Sequence, residues 1–179
     1  MQDYLYSVIG FIAIAVQLII NFKVMFISEG NNERTAGKIY QMLMLSMFAY
    51  YITDTCWGIL AGLNWIPLLF LDTTVYYVAM SLIIVCFYRY FVEYLGMNDW
   101  KGKLFTLFGK AFFVLEIIFL IINFFKPCFF WFDENDAYVA GPIRYIALWV
   151  QVAMFAFSSL VRMQLMRLKR RVLTITTLF

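Results

Sequence analysis

LFTLFGKAFFVLEIIFLIINFF, residues 104–125, is the stretch whose reading decides the fold class. As a helix it would be about 33 Å long, enough to cross the roughly 30 Å hydrocarbon core of a bilayer. Its polar residues are only Thr106, Lys110, Glu116 and Asn123. Working outward, four more runs of this kind occupy residues 5–27, 40–63, 66–95 and 138–166. A membrane barrel would instead alternate polarity over strands of about ten residues. The whole composition agrees, with 64% hydrophobic, 21% aromatic and 14% charged residues. A soluble domain holds about 45–50% apolar and about 25% charged residues, and disordered chains are poor in aromatics. The surplus apolar surface must face lipid. The expected fold is all-α, a polytopic transmembrane helix bundle of five spans over residues 1–171. Residues 172–179, apolar again after a basic cluster, are expected either to begin a sixth span in a longer protein or to lie on the membrane surface. They are too short to cross by themselves.

Basic residues near the span ends give an expected direction. Lys23, Arg34 and Lys38 flank the first connection, Arg89, Lys101 and Lys103 the third, and Arg162, Arg167, Lys169, Arg170 and Arg171 close the fifth span. At the opposite ends only Lys126 is found. The positive-inside rule then puts the N-terminus outside and the basic tail in the cytoplasm, as five crossings require. Tyr and Trp favour the two interfaces. Tyr4, Tyr6, Trp65, Phe129, Phe130, Trp131, Phe132 and Tyr138 are expected at the outer one, and Tyr40, Tyr88, Tyr90, Tyr94 and Trp100 at the inner one. The acidic run Asp133-Glu134-Asn135-Asp136 reads as a solvated external turn.

Several function classes are disfavoured. The chain has no histidine, the commonest general base and metal ligand. Cys56, Cys86 and Cys128 lie far apart without CxxC spacing, so neither a zinc site nor a disulfide framework is indicated. No Gly-rich nucleotide loop is present. No cofactor or metal is expected, and no catalysis by these residues. An aspartyl pair, Asp54 and Asp72, is the only candidate for an intramembrane enzyme, and the surrounding sequence lacks the GxGD-like pattern such enzymes carry. Expected partners are the bilayer, a small extracellular ligand and a second copy in a homodimer, with nucleic acid excluded.

Charge inside a span is costly, from about 2.5 kcal/mol upward, and marks a functional site when a partner can be named. At about 1.5 Å rise per residue, Asp54 falls ~13 Å, Asp72 ~9 Å, Glu116 ~14 Å and Arg144 ~9 Å below the outer end of its span. Tyr50, Asp54 and Trp57 share one helix face through their i, i+4, i+7 spacing, and so do Asp72 and Tyr76. The expectation is an outward-opening, water-accessible pocket formed by Asp54, Trp57, Asp72, Tyr76, Glu116 and Arg144. Carboxylates and aromatic rings suit a small cation or amine, and Arg144 suits a carboxylate. The competing reading is structural, with Arg144 paired to Asp72 or Glu116 and Asp54 bonded to a neighbouring helix. Lys110, Arg89 and Glu93 are assigned to structure, the first by snorkelling and the other two as an i, i+4 pair. Gly58 and Gly62 form a single GxxxG, a weak packing signal.

The run Tyr50-Tyr51-Ile52-Thr53-Asp54-Thr55-Cys56-Trp57-Gly58-Ile59-Leu60, then Leu71-Asp72-Thr73-Thr74-Val75-Tyr76-Tyr77 and Tyr88-Arg89-Tyr90, resembles a known pattern. It is similar to the multi-span N-terminal sensor regions that precede bacterial GGDEF (diguanylate cyclase) domains and some histidine kinases. The resemblance implies signal reception in the cell membrane and relay to a cytoplasmic output domain. No GGDEF segment or kinase motif occurs in these residues, so any such catalysis would belong to sequence beyond them. The alternative is a small-solute or ion transporter or channel, against which stand the odd span count and the lack of an internal repeat.

Overall fold

The computed structural model describes residues 2–27, 35–97 and 99–176. The connection at Ser28–Arg34 lies outside the described residues, as do Thr177–Phe179 and the side chains of Tyr4 and Tyr6. The described chain is all-α apart from one short hairpin. Its helices are α1 (Gln2–Phe26), α2 (Thr35–Gly62), α3 (Ile66–Leu95), α4 (Trp100–Phe125) and α5 (Pro142–Thr176), with strands β1 (Phe130–Phe132) and β2 (Tyr138–Ala140) between α4 and α5. All five helices are long and apolar enough to cross a membrane. Side chains such as Ile19 (82% exposed) and Phe125 (87%) would be unfavourable in water and are at home in lipid.

The chain forms two compact units, Met1–Gly141 and Pro142–Phe179. In the first, α1 packs along α2, α2 along α3, and α3 along α4. One end of this array carries the hairpin, the other the basic residues Lys38, Arg89, Lys101 and Lys103. Sequence chemistry sets the helix limits. Pro67 sits in the first turn of α3, where a missing N–H costs nothing. Gly96 ends that helix at φ 64°, its N–H bonding Glu93 O at 3.1 Å while Met97 N–H bonds Val92 O at 3.0 Å. A left-handed residue at this position closes the last carbonyls. Asp99 caps α4 by accepting the Gly102 N–H at 3.2 Å.

Inside the slab, polar side chains bond main-chain carbonyls, because no water is there to serve them. Thr53, Thr55, Thr73 and Thr74 donate to carbonyls three or four residues back. Between α1 and α2, Ser7 donates to Thr55 O at 2.8 Å, buried Gln17 to Met44 O at 2.9 Å, and Gln41 to Met25 O at 3.0 Å. Gly10 permits the close approach, since a Cβ there would collide with Thr55. Toward the basic end, Met25, Leu43, Met44 and Cys86 form a buried cluster flanked by Tyr40, Met47, Phe48 and Tyr90.

Two sequence expectations change. The fifth span starts at Pro142, since Tyr138–Ala140 pairs antiparallel with Phe130–Phe132. The acidic run is the turn of this hairpin: Asp133 Oδ1 accepts the N–H groups of Asn135 and Ala137, both at 2.9 Å, and Asp136 adopts φ 61°. Phe129 and Phe130 are not interfacial anchors but fully buried, at 0% exposure, whereas Trp65, Tyr94 and Trp100 remain exposed. The helix α5 runs through the basic cluster to Thr176, where Arg, Lys and Leu favour helix and no Gly or Pro interrupts them. Within the GxxxG, Gly58 is buried but Gly62 is exposed, so the two do not form one packing face.

Candidate functional site

Antiparallel packing of α2 on α3 brings Asp54 close enough for its charge to act on Asp72. Both side chains are half-buried. Tyr50, one turn from Asp54, also feels that carboxylate. Its ring lies 4.9 Å from that of Tyr76, and the two hydroxyls share a hydrogen bond of 3.0 Å. One turn separates Tyr76 from Asp72, so the α2 and α3 pairs meet as matched faces.

Trp57 joins through the hairpin. Its ring packs edge-on against Tyr138 at 6.2 Å, and Tyr138 shares a 2.8 Å hydrogen bond with buried Tyr77, whose ring lies 5.3 Å from Tyr76. Phe129 and Phe130 pack on Tyr77 at 4.6 and 5.8 Å, and Phe70 meets Phe130 at 4.9 Å and Phe124 at 5.3 Å. These rings form a continuous aromatic layer that joins α2, α3 and α4 to the hairpin.

One residue holds that layer in place. Asn123, in the last turn of α4, accepts the N–H groups of Cys128, Phe129 and Phe130 on Oδ1 at 2.9, 2.8 and 3.3 Å, and donates from Nδ2 to Phe130 O at 2.9 Å. A buried amide thus folds the chain back under the hairpin and buries two phenylalanines. Gly141 is needed at the other side of this turn, where a Cβ would run into the Cys128 carbonyl. The signal for Asn123 was visible as a lone amide near the end of an apolar helix, four residues before Pro127. Its multiple main-chain partners were not.

The cavity beside Asp72 has a volume of about 310 Å³ and is lined by Cys56, Ile59, Leu60, Leu68, Leu71, Asp72 and Val75. Ile59, Leu68, Leu71 and Val75 are exposed, so it opens sideways, on the face an apolar helix turns to lipid. Trp57 and Tyr76 do not line it; they pack against other rings. Asp72 Oδ2 is enclosed and has no hydrogen-bond partner among the described residues.

The six expected site residues therefore separate into groups. Asp54, Asp72 and Tyr76 come together, with Trp57 linked through Tyr138. Glu116 is buried, at 3% exposure. The α3–α4 register, with Phe70 against Phe124, Tyr88 against Phe105 and Gly109 against Tyr88, puts it level with the stretch from Tyr77 to Ser81 rather than with Asp72. That is roughly 10 Å farther toward the basic end. Span-end counting missed this because it treats each helix separately. Arg144 lies in the first turns of α5, half-buried within the second unit, with its guanidinium carbon 5.8 Å from the centre of the Tyr145 ring. Among the described residues, no group of three or more acidic, Cys or His side chains is arranged to hold a metal ion. No family model matches the chain, and no curated protein or solved structure is significantly similar to it.

Proposed function

We propose that this chain is a multi-pass module of the cell membrane, N-terminus outside, that receives a chemical signal through Asp54 and Asp72. The signal is a small cation, either an organic amine or a proton, and the response is a change in α2–α3 packing relayed to a cytoplasmic output domain. The enclosed Asp72 oxygen, without a hydrogen-bond donor among the described residues and within reach of the charge of a second carboxyl group, is the observation that carries this reading. Paired carboxylates in a low-dielectric slab repel each other until a proton or cation joins them. Because they sit on two packed helices, occupancy favours one helix spacing over another, and signalling needs such differential affinity. The Tyr50 and Tyr76 rings add faces to which an amine is attracted.

The test is titration of the purified chain in lipid nanodiscs with ethanolamine or tetramethylammonium, read by Trp57 emission. The expected result is a saturable shift that vanishes in Trp57→Phe and is lost in Asp72→Asn and Asp54→Asn. Unchanged titrations in both Asn variants would refute the reading. Amine flux across proteoliposomes would instead favour transport.

A further inference from the structure

A second cavity, of about 530 Å³, lies at the basic end between the last turns of α3 and the first turns of α4. Its walls are Val92 and Met97 from the end of α3, and Gly102, Lys103, Thr106, Leu107 and Lys110 from α4. Lys103, Thr106 and Lys110 fall on one α4 face through their i, i+3, i+7 spacing. Gly102 keeps the groove deep, since a Cβ there would meet the Met97 carbonyl and come within 3.1 Å of Val92 Cγ1. Both lysines are exposed, and neither makes an ion pair among the described residues. Asp99, four residues before Lys103, is engaged in capping the Gly102 N–H, Glu93 on α3 is exposed, and Glu116, six residues beyond Lys110, is buried. The Thr106 hydroxyl proton is committed to Gly102 O at 3.1 Å, which leaves its oxygen to accept from an ammonium.

Depth makes this arrangement unusual. Trp100, 68% exposed, opens α4 in the position of an interfacial anchor. Lys110 lies about 15 Å farther along the axis, so its ammonium has to snorkel back along the groove toward the surface. An ammonium at that depth on a lipid-facing helix calls for an anion brought to it. The groove joins that ammonium to Lys103 nearer the surface, and exposed Leu107 gives it an apolar wall.

We propose that this groove binds an anionic phospholipid, its phosphate held between Lys103 and Lys110 and one acyl chain lying along Leu107 and Val92. Basic pockets between membrane helices recognise lipid headgroups by this combination of charge and apolar wall. The proposal does not depend on the acid pair at the other end.

Native mass spectrometry of the whole chain in mild detergent, with phosphatidylglycerol or phosphatidylcholine at equal amounts, tests it. Phosphatidylglycerol should be retained preferentially. Lys103→Gln and Lys110→Gln should each lower that retention roughly fivefold, and the double variant roughly 25-fold, with phosphatidylcholine unchanged. Lys126→Gln, at the other end, should change neither. Equal retention of the two lipids by the wild type, or full phosphatidylglycerol retention by the double variant, would overturn the proposal. Displacement of the lipid by inorganic phosphate would do so too, by showing a free-anion site. If the double variant does not fold, brominated lipids decide on the wild type. Quenching of emission that is stronger with brominated phosphatidylglycerol than with brominated phosphatidylcholine, and lost in Trp100→Phe, supports the site; equal quenching removes it.

Discussion

The hairpin end and the basic end of the first unit face the same difficulty, polar groups in an apolar slab, and meet it in opposite ways. At the hairpin end the polar atoms are turned inward. Asn123 bonds three main-chain N–H groups and a carbonyl, tyrosine hydroxyls bond one another, and Ser7 reaches across to Thr55. At the basic end Lys103 and Lys110 are turned outward along an open groove. Inward groups need fixed partners, because a buried donor without an acceptor costs about 1–3 kcal/mol. Outward cations can use lipid headgroups and need no fixed protein partner. The first end should therefore govern stability and the second end should govern what surrounds the protein.

The largest effect is expected at Asn123. Asn123→Leu leaves the N–H groups of Cys128, Phe129 and Phe130 without their acceptor and should cost about 3 kcal/mol or more in unfolding measured in detergent. Asn123→Asp keeps the acceptor oxygen but loses the Nδ2 donor to Phe130 O unless it is protonated, so it should lose less than the leucine variant, about 1–3 kcal/mol. Equal losses would show that the amide fills space rather than organising the turn. Next come two glycines that contrast the ends. Gly10→Ala drives a methyl group into Thr55 and should destabilise by about 1–3 kcal/mol. Gly37→Ala, with nothing within 4 Å of the new Cβ, should stabilise by up to about 1 kcal/mol through helix propensity alone. A third comparison concerns the tyrosine pair. Tyr50→Phe removes the 3.0 Å hydroxyl contact but keeps the ring packing, so a loss of about 1 kcal/mol is expected from thermal melts. The smallest change belongs to the basic end. Lys110→Gln should alter stability by less than about 0.5 kcal/mol while lowering retention of anionic lipid. A large destabilisation there would erase the contrast between the two ends.

Much of the helical layout was legible in the residues themselves. The span at 66–95 coincides with α3, and the span at 104–125 ends with α4, since hydropathy, Pro67, Gly96 and Pro127 are local signals. The i, i+4 faces that join Asp54 to Tyr50 and Asp72 to Tyr76 were readable for the same reason. The hairpin was not legible, because Phe129 to Phe132 and Tyr138 to Ala140 read equally well as interfacial aromatics. Only the pairing of Phe130 with Ala140, and Asn123 beneath it, turns Phe129 and Phe130 into core. Counting from span ends puts Glu116 about 5 Å deeper than Asp72, and the interlocking of α3 and α4 widens that separation to roughly 10 Å. The cavity beside Asp72 opens between the exposed side chains of Ile59, Leu68, Leu71 and Val75, a grouping across two helices that neither helix shows by itself.

Taken alone, the order of residues determined that this is an apolar, helical, membrane-type chain, roughly where its helices run, and which aromatic residues share a helix face with its acids. These are sums and periodicities within one segment, and a single segment is enough to compute them. Tertiary structure decided which of those acids meet, that an asparagine anchors the hairpin, and that two lysines border an open groove. Those outcomes depend on the rotation and register of one helix against the next, set by interlocking side chains distant in the chain.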